Sequence, residues 1–410
     1  MMAYQLLLPV LVPPTSAQKI KLCRIDNIPA LSPAHTLFLT GKKKLSFNPP
    51  LNKQKTVRSF FVSAKHESKQ SKEQILEALR EELPAMFEPG ANVDYSIYAK
   101  TVHFQDPLND FVGIDKYRGN ISFLQTFFKD SKLDLHGIAL GKYKDGRDMV
   151  ISRWTLAMTA PLPWSPRLAF TGTSEYVLDD SGAVVEHVDK WDSLPGQEKS
   201  AAKGVLDLLS QMFSSGSGAP VQPSDPQQPP YLLVRRYPAF EIRSYSPCVV
   251  VQTPYTSRPA AYAALDDYLV GANSIARILP RTSPVVMQVP SSSSPPSPSA
   301  PPKLMSYFLP SRYTDASAAP VPTSPDMCLA SFGSRPVAVA QFSGSATPEA
   351  VMFHRRALLR ELEKGGWAVA AGEDSIIRFA QYDAIYSLPW NRRNEVWVLL
   401  DDPTVNDPFR

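Results

Sequence analysis

Long hydrophobic runs are missing from this chain. No stretch of 18 apolar residues occurs, so no segment reads as a membrane-spanning helix. Cysteine is scarce: Cys23, Cys248 and Cys328 are the whole supply, without C-x-x-C or metal-ligand spacing. That excludes a zinc module and argues against a disulfide framework. Catalytic signatures are absent too: there is no P-loop, no G-x-S-x-G, no H-E-x-x-H and no dinucleotide-binding glycine fingerprint. Acid is nearly absent from residues 1–64, where nine basic side chains face one acid, Asp26. The formal charge of +4 thus hides a segment at +8 and a remainder at −4. A mildly acidic folded part lacks the basic face that nucleic-acid binding needs.

What is present divides the 410 residues into pieces. Residues 1–64 are rich in hydroxyl side chains, proline and lysine, the composition of an organelle transit peptide, with Val62-Ser63-Ala64 as a small-residue cleavage point. A plastid is the expected destination. A mitochondrion or secretion is the alternative; the run from Gln5 to Val12 suggests a secretory signal, but it is short, contains Pro9 and lacks a basic leader. Proline, 40 residues in all, clusters in linkers. Residues 214–230 read as a Gly/Ser then Pro linker. Residues 290–302, almost all Ser and Pro, read as a disordered insert inside the second domain.

The first domain is placed at 70–213. Ser71 caps a helix with Gln74 at the capping-box position, and Ile75, Leu76, Leu79 and Leu83 follow at helical spacing. Strand-like segments are expected at Tyr98–Phe104, Leu133–Tyr143, Met149–Ala160, Leu168–Leu178 and Ala183–Trp191. Helices are expected at Gly113–Phe128 and Lys199–Phe213. Helices first and a long meander afterwards predict an α+β domain with helices against a curved sheet. Tyr98-x5-Phe104-x-Asp106-Pro107, Gly113-Ile114-Asp115-Lys116-Tyr117 and His187-x3-Trp191-Asp192 resemble the NTF2-like superfamily, and within it the uncharacterised DUF2358 group. The resemblance implies a cone at whose mouth His103, Asp106, Tyr117, Arg153, Trp154 and His187 converge. Some members of that superfamily use Asp or His as a general base on small molecules, which makes an enzyme in this domain one alternative.

The second domain is placed at 231–405, where a strand–helix–strand–strand unit occurs twice. Its motifs run in order: Tyr237 to Tyr245 with Glu241-Ile242-Arg243-x-Tyr245, then Leu265-x2-Tyr268-x2-Gly271-Ala272-Asn273, then Arg281-Thr282-Ser283-Pro284-Val285. Tyr307-Phe308-Leu309-Pro310, Val339-Ala340-x-Phe342-Ser343-Gly344 and Leu388-Pro389-x-Asn391-Arg392-Arg393-Asn394-Glu395-Val396 complete the series. Together they resemble the SOUL heme-binding family. That resemblance implies a pseudo-twofold β-barrel flanked by two helices, and heme or another tetrapyrrole as a reversible ligand without strong axial ligation.

The cleft implied by the resemblance lies on the first helix of this domain, over Tyr262, Leu265, Tyr268 and Leu269, with Val285 and Met287 beyond it. Arg258, Arg277 and Arg281 are the expected propionate partners. Asp266 and Asp267 put acid on the same helix. Arg243, Arg393 and Glu395 are expected to pair near the barrel rim. His354, with Val351, Leu358 and Leu362 at helical spacing, is expected on a packed face rather than on iron. These readings predict a non-enzymatic plastid heme carrier or buffer, with heme-metabolising plastid proteins as partners. The alternative is an interaction protein of thylakoid or plastoglobule surfaces, with peripheral lipid association.

Overall fold

The computed structural model describes residues 71–192, 227–291, 302–333, 335–383 and 387–401. The expected transit segment, the helix at Lys199–Phe213, most of the linker and most of the Ser/Pro insert lie outside these residues.

The first domain starts as its capping box dictates. Ser71 Oγ accepts from the Gln74 amide at 3.2 Å, and Gln74 Oε1 accepts from the Ser71 amide at 2.8 Å. Helix α1 (Lys72–Glu82) then buries Ile75 and Leu79. Helix α2 (Ile114–Phe127) buries Tyr117 and Ile121 on the same side of the sheet. The strands are β1 (Tyr98–Gln105), β2 (Asp110–Val112), β3 (Lys129–Lys142), β4 (Asp148–Thr159), β5 (Arg167–Leu178) and β6 (Val184–Trp191), in the order β2-β1-β6-β5-β4-β3. Only the β1–β6 pair is parallel. Register shifts in β3 near Lys129–Lys132 and Leu135–Gly137 break its ladder, which is how a long strand bends. Helices on one face of a curved sheet are the α+β arrangement that the sequence predicts.

The second domain is a nine-stranded sheet. Its strands are β7 (Tyr231–Tyr237), β8 (Phe240–Tyr245), β9 (Cys248–Pro254), β10 (Val285–Pro290), β11 (Leu304–Phe308), β12 (Cys328–Phe332), β13 (Val337–Phe342), β14 (Ile376–Gln381) and β15 (Asn394–Leu399). The order is β12-β9-β11-β10-β14-β15-β13-β8-β7. The repeat is visible there. β9, helix α3 (Arg258–Leu269), β10 and β11 match β13, helix α4 (Pro348–Lys364), β14 and β15 about the central β10–β14 pair, where Met287 faces Phe379.

The sheet curls on itself. A two-residue turn joins β8 to β9, which stand near opposite ends of the order, and the rings of Tyr245 and Phe332 from those ends meet at 5.4 Å. Alternation sends Val249, Val251, Met287 and Phe379 outward under the helices. It sends Val250, Phe308, Val339 and Trp397 inward. The inside is therefore filled with side chains. Among the described residues Cys248 is a free, buried cysteine.

The two domains meet along β7, the edge of the second sheet. A register shift at Leu233–Arg235 opens its backbone. Thr155 Oγ1 donates to the Leu233 carbonyl at 2.8 Å, Arg153 Nη2 to the Val234 carbonyl at 3.2 Å, and the Arg236 amide donates to Thr171 Oγ1 at 2.7 Å. An edge strand that would otherwise expose unpaired groups is thereby covered.

Candidate functional site

Helix α3 opens with Pro259, whose missing N–H costs nothing at this position. Leu265, Tyr268 and Leu269 turn inward and, with Met287 of β10, join the main core at 2% exposure or less. Tyr268 also spends its hydroxyl inside, donating to the Pro320 carbonyl at 2.8 Å. These four side chains hold the helix on the sheet and do not line an open cleft. Tyr262 and Val285 are half-buried beside them. Arg258, Arg277 and Arg281 are exposed, and Arg258 lies over the Phe379 ring at 5.6 Å.

The acid on this helix is partly neutralised. Asp266 receives Arg281 Nη2 at 2.7 Å and the Tyr307 hydroxyl at 3.2 Å. This bond raises the Arg281 pKa further. Asp267 faces solvent.

The Gly271-Ala272-Asn273 motif shapes the loop after α3. Gly271, at φ +125°, permits the turn off the helix. Asn273 then ties the loop, donating from Nδ2 to the Tyr268 and Arg277 carbonyls at 2.9 and 2.7 Å and accepting from the Arg277 amide at 3.1 Å. The Leu279 amide returns to the Leu269 carbonyl at 2.8 Å. This tied loop leaves Val270, Ile275 and Ile278 at 64%, 55% and 73% exposure, next to Arg277. Sequence reasoning missed these three apolar residues because a loop has no period to betray them. Their signal was three large aliphatics in a nine-residue stretch that no core claims.

The Arg393–Glu395 signature does what its pairing predicts. Glu395 is fully buried and receives Arg243 Nη1 at 3.1 Å, Arg393 Nη2 at 2.6 Å, the Tyr382 hydroxyl at 2.8 Å and Trp397 Nε1 at 2.8 Å. Burial pushes its carboxyl up, but Arg243 and Arg393 hold it down at about 2. Arg392 donates from Nε to the Ser387 carbonyl at 2.8 Å. His354 stacks on Phe342 at 4.3 Å, half-buried on α4, and burial lowers its pKa.

The first domain contains a cavity of about 310 Å3 between α2 and the sheet. Of the residues expected at its mouth, Asp106, Trp154 and His187 line it, and Tyr117 reaches it through His187, with its hydroxyl 3.0 Å from Nδ1. His103 and Arg153 do not. Period-two alternation turns each away from its cavity-lining neighbour, Phe104 and Trp154. His103 pairs with Asp110 at 2.7 Å, and Arg153 pairs with Asp192 on the opposite face. Asp106 is a turn former: its Oδ1 accepts from the amides of Leu108 and Asn109 at 2.6 and 2.5 Å. The sequence reading passed over Asp189 and Ser174. Asp189 stands two residues from His187 on a strand, and that spacing puts both on one face.

Comparison with known proteins fits this division. The SOUL heme-binding protein family matches residues 226–399, and the uncharacterised conserved family DUF2358 matches residues 73–187. No curated protein matches the chain in sequence. Among solved structures, an NTF2-like protein of unknown function from Exiguobacterium sp. 255-15 is 18% identical over 24% of this chain and 79% of its own, with a TM-score of 0.21. An NTF2-like superfamily protein from Salmonella enterica serovar Typhimurium is 14% identical over 31% of this chain and 95% of its own, TM-score 0.27. The EcmrR C-terminal domain is 11% identical over 42% of this chain and 98% of its own, TM-score 0.28. No helix among the described residues is long and apolar enough to cross a membrane. The chain thus carries a match to DUF2358 at residues 73–187 ahead of a match to the SOUL heme-binding family at residues 226–399, the order that the motifs imply.

Proposed function

We propose that the SOUL domain binds heme or a related tetrapyrrole reversibly at the C-terminal end of α3, and that the protein serves as a plastid heme carrier or buffer. One observation carries the placement: Val270, Ile275 and Ile278 are all exposed on the short stretch that also carries Arg277. A tetrapyrrole needs an apolar platform for its ring and cations for its carboxylates, and guanidinium groups hold carboxylates in a bidentate way. Arg277 is the first such cation, with Arg258 and Arg281 on the helix and beyond the loop. Tyr262 and Val285 offer further apolar surface beside them.

Easy release suits a carrier, whereas heme catalysis requires a fixed axial ligand and a shaped distal pocket. His354, stacked on Phe342 from the other helix, is engaged in packing. The plastid assignment rests on the composition of residues 1–64. Titration of the full chain with hemin tests the reading through the Soret band. The same exposed aliphatics also favour a second reading, docking on a thylakoid or plastoglobule surface. Flotation of the protein with plastid-lipid vesicles, together with an unmoved Soret band, would favour that one.

A further inference from the structure

The cavity of the first domain lies apart from the residues proposed above for heme. Its walls are apolar, with Leu124 and Phe128 on the helix side and Leu156 and Phe170 on the sheet. Its floor is a polar chain. Asp189 Oδ1 accepts from Ser174 Oγ at 2.5 Å and lies 2.8 Å from His187 Nε2. Ser174 Oγ in turn accepts from Trp154 Nε1 at 2.8 Å. A carboxylate accepts only, so His187 presents an Nε2 proton to Asp189, and its Nδ1 lies 3.0 Å from the Tyr117 hydroxyl. The Tyr117 hydroxyl donates to that of Tyr98 at 3.4 Å. The two donors that reach Asp189, Ser174 Oγ and His187 Nε2, both load Oδ1. Among the described residues, Oδ2 takes no hydrogen bond.

We infer that this cavity binds a small, largely apolar molecule with a single hydroxyl group, whose O–H donates to Asp189 Oδ2. A void of this size forfeits packing contacts, and the carboxylate of Asp189, one-fifth accessible, keeps an acceptor oxygen available beside apolar walls. One ligand fills the first and uses the second. Ligand cavities begin at about 300 Å3, so this one takes a molecule at the small end of that range. An ammonium group fits less well. It needs acceptors for three protons, and the other carboxylate at the cavity, Asp106, already accepts from the amides of Leu108 and Asn109 and from the Asn109 side chain.

The test is a tryptophan-fluorescence titration of the full chain with farnesol, farnesyl methyl ether and farnesylamine. Farnesol should bind about tenfold or more tightly than the ether, which cannot donate, as expected for a hydrogen bond to a charged acceptor. Asp189→Asn should bring that ratio close to one. The amide oxygen takes the protons of His187 and Ser174, so an NH2 donor replaces Oδ2. A circular dichroism spectrum unchanged from wild type shows that this variant is folded. Leu124→Trp, which fills the cavity from α2, should abolish farnesol binding while hemin still binds. The inference is overturned if farnesol and its ether bind equally to the wild type, if farnesylamine binds tightest, if Asp189→Asn keeps the preference, or if Leu124→Trp binds farnesol normally.

Discussion

Arg153 of β4 donates from Nη2 to the backbone carbonyl of Val234 on β7, 3.2 Å away. A charged side chain of the first domain thus satisfies the opened edge strand of the second. Arg153 is 1% exposed and also holds Asp192 through Nη1 at 2.6 Å. Replacing it with Met leaves Asp192 without its buried partner, a loss of about 3–5 kcal/mol. Thermal unfolding should show Arg153→Met lowering the transition of both domains. A fall confined to the first domain would show that the junction does not couple them.

The same junction should respond to acid. His136 Nε2 lies 2.8 Å from Thr155 Oγ1, whose own proton goes to the Leu233 carbonyl. His136 therefore donates as a neutral ring. Burial, then Arg153 and Arg235, lower its pKa from 6.5 to about 4, against the opposing pull of Asp134 and Asp192. The folded state resists a proton that the unfolded chain accepts, so this contribution is complete above pH 6.5 and is lost as pH falls toward 4. Melting temperature measured across that window should fall less steeply in His136→Gln than in the wild type.

Glu395 gives a second, lower window. Its carboxyl is held at about 2, against an ordinary 4.5, so the stability it supplies is present above pH 4.5 and disappears as pH drops toward 2. Glu395→Gln leaves Arg243 and Arg393 without their shared buried carboxylate and should cost about 3–5 kcal/mol in denaturant unfolding at pH 7. The deficit should shrink as wild type and variant are compared at successively lower pH. A deficit that does not change with pH would contradict this account of the network.

Gly172 is fixed by a close approach. A Cβ there would run into the Lys190 carbonyl on β6 and meet the Trp154 ring at 3.0 Å. Gly172→Ala should therefore destabilise the domain by about 1–3 kcal/mol, as overpacking does. Because Trp154 forms part of the cavity floor, the variant's tryptophan emission should also shift. Unchanged emission and stability would show that the sheet relaxes freely at this point.

Much of the fold was legible because it rests on local rules. Ser71 and Gln74 announced α1, and period-two runs announced the long strands β3 to β6. The repeated strand–helix–strand–strand unit gave the symmetry about β10 and β14. Two strands escaped notice. Asp110–Val112 is three residues long and exists by pairing with β1, and Cys328–Phe332 is too short to show alternation. The α3 site was half legible. Helical spacing marked Leu265, Tyr268 and Leu269 as one face, and that face is the buried one. The surface that remains was set by Asn273 folding the next loop back, a tertiary effect that leaves no trace in hydrophobic periodicity.

The central claim is tested most directly by titrating hemin, followed at the Soret band, into the full chain and into an Ile275→Asp, Ile278→Asp double variant. Both side chains are more than half exposed, so folding is spared. The predicted result is a shifted, saturable Soret band for the wild type and binding weakened at least about tenfold in the double variant, since each charge replaces an apolar contact. Equal hemin binding by both proteins, or no Soret shift in either, would contradict a heme site at the end of α3.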